Sequence, residues 1–169
     1  MASILKTDKI EGVTSSGTVQ MPAGHVIQMQ NATLAGGANN TASTSFVDTG
    51  LTLNITPKFA TSKILVMVHQ AVSITYSTNT RVDFRCIENG SSTEVYRMDY
   101  HGNDGYVASI AATQRNMSGS GVFQCSNTNQ LTFKTQVRKG GTFANEATAI
   151  YYDWYTNAKL TIQALEVAQ

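Results

Sequence analysis

The chain has 169 residues and a formal net charge of +1, with 14% charged and 41% hydrophobic side chains. That length suits one domain with a real core. The balanced charge gives no electrostatic footprint for nucleic acid and no polybasic patch, and no apolar run approaches the ~20 residues of a membrane span, so neither nucleic acid nor membrane insertion is expected.

Charged residues are scarce beside the roughly one quarter of an ordinary globular chain. Thr, Ser, Asn, Gln and 13 glycines take their place. Thr favours strands, while Gly and Asn favour tight turns, so the composition is that of an all-β protein. The opening residues, MASILKTDKIEG, are mixed and charged, unlike a secretory signal, and synthesis in a cytoplasm is expected. Cys86 and Cys125 stand alone and read as buried thiols.

Residues 1–24 read as an arm outside the core. Ile4, Leu5 and Ile10 are scattered among charges, and Val19 and Met21 follow a flexible Thr14–Gly17 run. A frayed terminus is one reading. The other is an arm that docks on a neighbouring subunit through Ile4, Leu5, Ile10, Val19 and Met21. Residues 25–169 form the domain. His25–Asn31 alternates as a strand, and Asn31–Ser45 is a polar, small-residue loop containing Asn39 and Asn40.

Two long strands then span Phe46–Thr75. In the first, Val47, Thr49, Leu51, Leu53 and Ile55 alternate with polar residues. A turn over Pro57–Ser62 leads to the second, where Ile64–Val68 is apolar without a break, as expected when both faces are covered, inside a sandwich or against another subunit. Arg81–Ile87 and Glu94–Tyr100 alternate around a hairpin turn over Glu88–Ser92, marked by Asn89-Gly90. His101–Gly105 is a loop, Tyr106–Asn116 leans to strand, and Gly119–Gly121 is a turn. Leu131–Val137, the aromatic Ala147–Tyr155 and Ala158–Val167 complete the pattern. About nine strands spaced by turns predict an all-β fold, an antiparallel jelly-roll-like β-sandwich with an extended N-terminal arm.

No motif carries chemistry. His25, His69 and His101 lack metal-ligand spacing, and Asp99–Gly105 departs from a calcium loop because His101 stands where an oxygen ligand is needed. No metal or cofactor site is predicted. Asp83, Glu94 and Asp99 fall close enough together to be weighed as a glycosidase pair, though solvated strand faces account for them as well. Tyr151, Tyr152, Trp154 and Tyr155 suit either a sandwich core or an exposed recognition surface. The candidate surface residues are Asn39, Asn40, Asn89, His101, Asn103, Asp104, Tyr152 and Trp154.

Several segments carry a resemblance. They are Gly17–Gln30, Ser45–Asp48, Asn54–Pro57, Ser62–Val66, the ending Leu160–Gln169 and the opening Ala2–Ile10. Together they resemble a family of small virion structural proteins of tailed bacteriophages, particularly those of marine and freshwater bacteria. The resemblance runs nearly end to end. It implies a tail-fibre or decoration protein with a jelly-roll or sandwich domain, often a trimer, and no catalytic residues to transfer. The expected protein is therefore a non-enzymatic virion surface component, homotrimeric and attached by its arm to other virion proteins. The tail-fibre reading, with loops touching a host surface glycan, is set ahead of capsid decoration. A free carbohydrate-binding module is the remaining alternative.

Overall fold

The computed structural model describes residues 22–34, 40–75, 80–102, 113–140, 149–151 and 160–169. Among these residues there are ten strands and no helix. They are β1 (Val26–Leu34), β2 (Asn40–Thr41), β3 (Val47–Ile55), β4 (Lys63–Thr75), β5 (Thr80–Glu88), β6 (Thr93–Gly102), β7 (Thr113–Gln124), β8 (Leu131–Gly140), β9 (Ala149–Tyr151) and β10 (Leu160–Val167). The predicted arm residues Ile4, Leu5, Ile10, Val19 and Met21 lie outside the described residues.

β4 is the spine of the first sheet. β7 lines one of its edges from Lys63 to Ile74. β10 and then β9 share the other, at Lys63–His69 and Ser73–Thr75. β1 pairs beyond β10, and β2 beyond β9. The second sheet runs β3-β8-β5-β6. With the short β2 and β9 set aside, the eight long strands form two four-stranded layers, β1-β10-β4-β7 and β3-β8-β5-β6. Between successive long strands the chain crosses from one sheet to the other, except at the β5–β6 hairpin. That is the doubly wrapped antiparallel path of a jelly roll.

The inner faces follow the alternation of the sequence. Leu51, Leu53 and Ile55 of β3 meet Ile64, Val66 and Val68 of β4, Phe84 of β5, Phe133 of β8 and Ile162 of β10 in one buried cluster. Phe123 of β7 sets its ring edge-on to Phe133 across the sheets, at 5.7 Å and 79°. β3 bends at a bulge between Asp48 and Thr52, where Gly50 takes a φ of 89° that a side chain would strain.

Two buried carboxylates hold the turns. Glu166 closes the inward stripe of β10 with no exposed surface. Its Oε1 accepts the Lys58 and Phe59 amides at 2.8 and 3.2 Å, and its Oε2 accepts Gln28 Nε2 at 2.6 Å. Glu88 does the same for the β5–β6 turn, accepting the Gly90 amide at 2.9 Å and the Ser91 amide and hydroxyl at 2.6 and 2.7 Å. The hairpin falls where Asn89-Gly90 predicts it. It is a four-residue loop, Asn89–Ser92, with Ser92 in the left-handed region at φ 57°.

Several expectations are corrected. Within the single chain the apolar run of β4 is covered on one face: Ile64, Val66 and Val68 are buried, whereas Leu65 and Met67 point outward and are half-buried, so of the two expected settings the sandwich interior accounts for one face alone. The supposed loop at Asn31–Ser45 is interrupted, since β1 continues to Leu34 and β2 occupies Asn40–Thr41. Ala32 and Leu34 earn that extension by packing on the core opposite Ile162 and Leu160. His101 and Gly102 belong to β6, paired with Arg81 and Thr80, not to a loop.

Gly119–Gly121 is not a turn but mid-strand in β7. A methyl at Gly119 would overlap the Tyr96 ring, and one at Gly121 would overlap the Val95 carbonyl. These glycines let β7 press against β6 and close that side of the sandwich. The Tyr96 hydroxyl donates across the contact to the Ser118 carbonyl at 3.2 Å. Because the obstacle at Gly121 is backbone rather than a movable side chain, Gly121→Ala should cost about 1–3 kcal/mol. Chemical denaturation of the variant and the wild type measures this, and an unchanged midpoint would show that β6 and β7 do not close so tightly.

Candidate functional site

Of the sequence-predicted recognition residues, Asn40, Asn89 and His101 fall among the described residues, each on a different element. Asn39, Asn103, Asp104, Tyr152 and Trp154 lie outside the described residues. Asn40 sits in β2, His101 near the end of β6, and Asn89 is exposed in the β5–β6 turn with its amide donating to the Thr132 carbonyl at 2.8 Å. Among the histidines, His69 proves exposed on the outer face of β4, where its Nδ1 lies 2.6 Å from Ser118 Oγ. His25 Nδ1 lies 3.0 Å from the Pro22 carbonyl oxygen.

The densest polar cluster lies on the outer face of the β3-β8-β5-β6 sheet. Alternation sends Asp83 and Arg85 of β5, Arg97 and Asp99 of β6, and Lys134, Gln136 and Arg138 of β8 outward, opposite the core positions. The segment before β3 crosses this face, tied down where the Lys139 amide donates to the Ser43 carbonyl at 2.8 Å. It places the Phe46 ring under the guanidinium groups of Arg85, Arg138 and Arg97, at 3.9, 4.5 and 5.6 Å from the ring centre. All three lie in cation–π range.

Each charge around this ring has a partner. Asp83 is wholly buried, and its Oδ2 receives Arg138 Nε at 2.7 Å, Arg138 Nη2 at 2.6 Å and Arg97 Nη2 at 3.4 Å. Arg97 Nε donates to Asp99 at 3.0 Å, which holds the guanidinium pKa above its ordinary value. Arg85 reaches Gln136 at 2.9 Å and Glu94 at 3.5 Å. Asp48 accepts from Gln136 and, at 3.0 Å, from Lys134. Partial burial pushes the Asp48 carboxyl up, but those hydrogen bonds and the Lys134 and Arg85 charges outweigh it, leaving it below the usual carboxylate value. The cluster is a clasp: its charges are spent on one another and on Phe46. Sequence alternation marks its strand residues, while Phe46, which organises it, carries no local signal.

Elsewhere, reactive groups are withdrawn. Cys86 and Cys125 are free, buried thiols. Burial pushes Cys86 from its ordinary 9.0 to about 12; burial, with the Glu166 charge adding to it, raises Cys125 to about 11. Gln70, fully buried on the inner face of β4, has no partner for Nε2 or Oε1. Leaving such a group unpaired costs about 1–3 kcal/mol, which the surrounding apolar packing must offset.

No family model and no curated protein sequence matches the chain. Among solved structures, it is similar in chain path to the infectious bursal disease virus VP2 subviral particle, at 14% identity and a TM-score of 0.45, over 99% of this chain and 37% of that one. The Bacillus thuringiensis delta-endotoxin Cry8Ea1 is similar at 15% identity and a TM-score of 0.41, over 78% and 20% of the two chains. A structure titled "CBM4 structure and function" is similar at 14% identity and a TM-score of 0.27, over 79% and 91%. The chain thus spans little more than a third of the VP2 chain it matches. The jelly-roll assignment follows from the strand order, independently of these likenesses.

Two predictions test the clasp and the thiols. Asp83→Asn removes the anion that two arginines share and should destabilise the domain by about 2–4 kcal/mol, less than a fully buried pair because both arginines are partly exposed. Thermal melting of the variant checks this, and an unshifted melt would make the clasp ornamental. The pH profile of stability should fall at both ends. Asp48 and Glu88 sit below the ordinary carboxylate value, Glu88 because hydrogen bonds from Gly90 and Ser91 outweigh the upward push of burial. Their contribution is complete above about pH 4.5 and is lost as pH falls through their folded values. The thiols contribute fully below about pH 8.5, and that contribution is lost as pH rises through their folded values near 11 and 12. Denaturation midpoints from pH 3 to 11 measure both limbs, and Cys→Ala variants should flatten the alkaline one.

Proposed function

We propose that this chain is a non-enzymatic structural protein of a bacteriophage virion surface, a homo-oligomeric jelly roll of the tail-fibre or receptor-binding type. The observation that carries the proposal is where the resembling segments fall. Ser45–Asp48, Asn54–Pro57, Ser62–Val66 and Leu160–Gln169 are far apart in sequence but form one piece of the fold: β3, the turn held by Glu166, β4 and β10. The resemblance to tailed-phage virion proteins therefore covers a scaffold, which is what a particle component shares with its kin.

The chemistry of the described residues supports an inert role. The carboxylates weighed as a glycosidase pair are engaged by arginines: Asp83 by Arg138 and Arg97, Asp99 by Arg97 and Glu94 by Arg85. A catalytic carboxylate must turn its oxygens toward a substrate, and these oxygens are turned toward guanidinium groups instead. The same cluster gives no free cation or stacked sugar platform, since Phe46 is covered by guanidinium groups.

Imaging of gold-labelled antibody against this chain on intact particles tests the proposal. Label at the tail supports the tail-fibre reading. Label spread over the capsid shell alone replaces it with the decoration reading. Purified particles that lack the chain altogether would overturn the virion role.

A further inference from the structure

The two outer faces of the sandwich differ in kind. One is the charged clasp, already covered by its own chain. The other belongs to β1-β10-β4-β7, and its register puts outward residues in rows across four strands. One row reads Met29, Leu165, Leu65, Val122, directly opposite one another in turn. It is apolar from edge to edge. Among the described residues the exposed large hydrophobic side chains are Val26 at 53%, Met29 at 58% and Val122 at 58%, and all lie on this face. The rows on either side add amides, hydroxyls and more aliphatic groups, and from the Lys63 row to the His69 row the one formal charge is Lys63, at the rim.

We propose that this face is a self-association surface, packed against the same face of a second copy of the chain about a two-fold axis. The inference rests on the homo-oligomer proposed above and names the surface it uses. Three observations select this occupant. First, a face with almost no charge is complementary to itself: nothing repels when it meets its own copy, and an isologous contact requires that self-complementarity. A membrane surface would call for a basic rim, and one lysine does not make one. A sugar would call for an aromatic platform, and these rows hold aliphatic and thioether groups instead. Second, four strands about 4.8 Å apart and rows about 6.8 Å apart make a platform of roughly 500 Å² per partner. Two such platforms bury about 1,000 Å², the lower bound for a specific interface, so the contact should be reversible and concentration-dependent. The β4–β7 ladder, which continues to Ile74 and Thr113, extends the platform further. Third, sheets stack readily on sheets at about 10 Å when their facing side chains interdigitate, and long side chains such as Met29, Leu65 and Met67 standing among shorter ones such as Val122, Ser120 and Thr161 provide that relief.

Sedimentation velocity on the full chain over a range of concentrations tests the inference. The wild type should equilibrate between monomer and dimer, or an even-numbered assembly containing the dimer. Met29→Lys and Val122→Lys, both at exposed positions that leave the core intact, should each weaken association at least tenfold. Asn54→Lys, on the opposite sheet, should leave it unchanged. Radical oxidation of Met29 in the wild type gives a second measure, and should slow as concentration rises. A wild type that stays monomeric at its highest soluble concentration would overturn the inference. So would a trimer without a two-fold contact, association indifferent to both lysine variants, or Met29 oxidation independent of concentration. A chain that dimerises through this face yet is missing from particles would refute the proposed function and leave the interface standing. A chain found on particles but monomeric would do the reverse.

Discussion

Everything in this fold hangs on the pairing of β4. It is the longest strand, it is laddered along both edges, and it carries β10, β9 and β7 at once. Its inner residues, Ile64, Val66 and Val68, meet the second sheet with almost no exposure. A strand so placed cannot shift register by one residue without turning that stripe to solvent and bringing Lys63, Leu65, Met67 and His69 into the core. The register of β4 therefore fixes that of its neighbours, and with it the row of Met29, Leu165, Leu65 and Val122 on the outside.

The two outer faces then divide the polar work. On the β3-β8-β5-β6 sheet the charges are concentrated and matched, closed over Phe46 by the strap that the Lys139 amide holds at Ser43. On the β1-β10-β4-β7 sheet they are nearly absent. A chain with few charges overall has placed most of those on its described strands on one face, which explains how the other comes to be bland. Low charge is thus less a bulk property of this protein than a property of one of its two faces.

Much of the scaffold was legible in the sequence because period-two alternation reports directly which side chain faces in. It located the inward stripe of β3, Thr49, Leu51, Leu53 and Ile55, and the alternation of β5. It failed where the deciding partner is remote. Nothing local distinguishes Gly119 and Gly121 in a turn from the same residues pressed under Tyr96 and the Val95 carbonyl. The run Ile64–Val68 looks the same whether its outer side meets another layer or water. Phe46 shows no periodic signal, because what gives it meaning is three arginines on three other strands.

The buried carboxylates make a last connection between composition and form. A jelly roll must make many turns, most of them between its sheets and one within a sheet at the β5–β6 hairpin, and each leaves backbone amides without ladder partners. Here the β3–β4 and β5–β6 turns answer that need with one carboxylate each. Glu166 takes two amides from 108 and 107 residues away in sequence, while Glu88 takes its own from two and three residues ahead. The first is a long-range staple that joins the last strand to the first crossing from β3 to β4; the second is a local brace. An ionised carboxylate accepting several N–H groups is a strong acceptor in a dry place, and it holds a turn without a ligand or a bridge. Because the staple needs the final strand to be in place, the β3–β4 turn is completed only when β10 has docked, which ties the two ends of the domain into one cooperative unit.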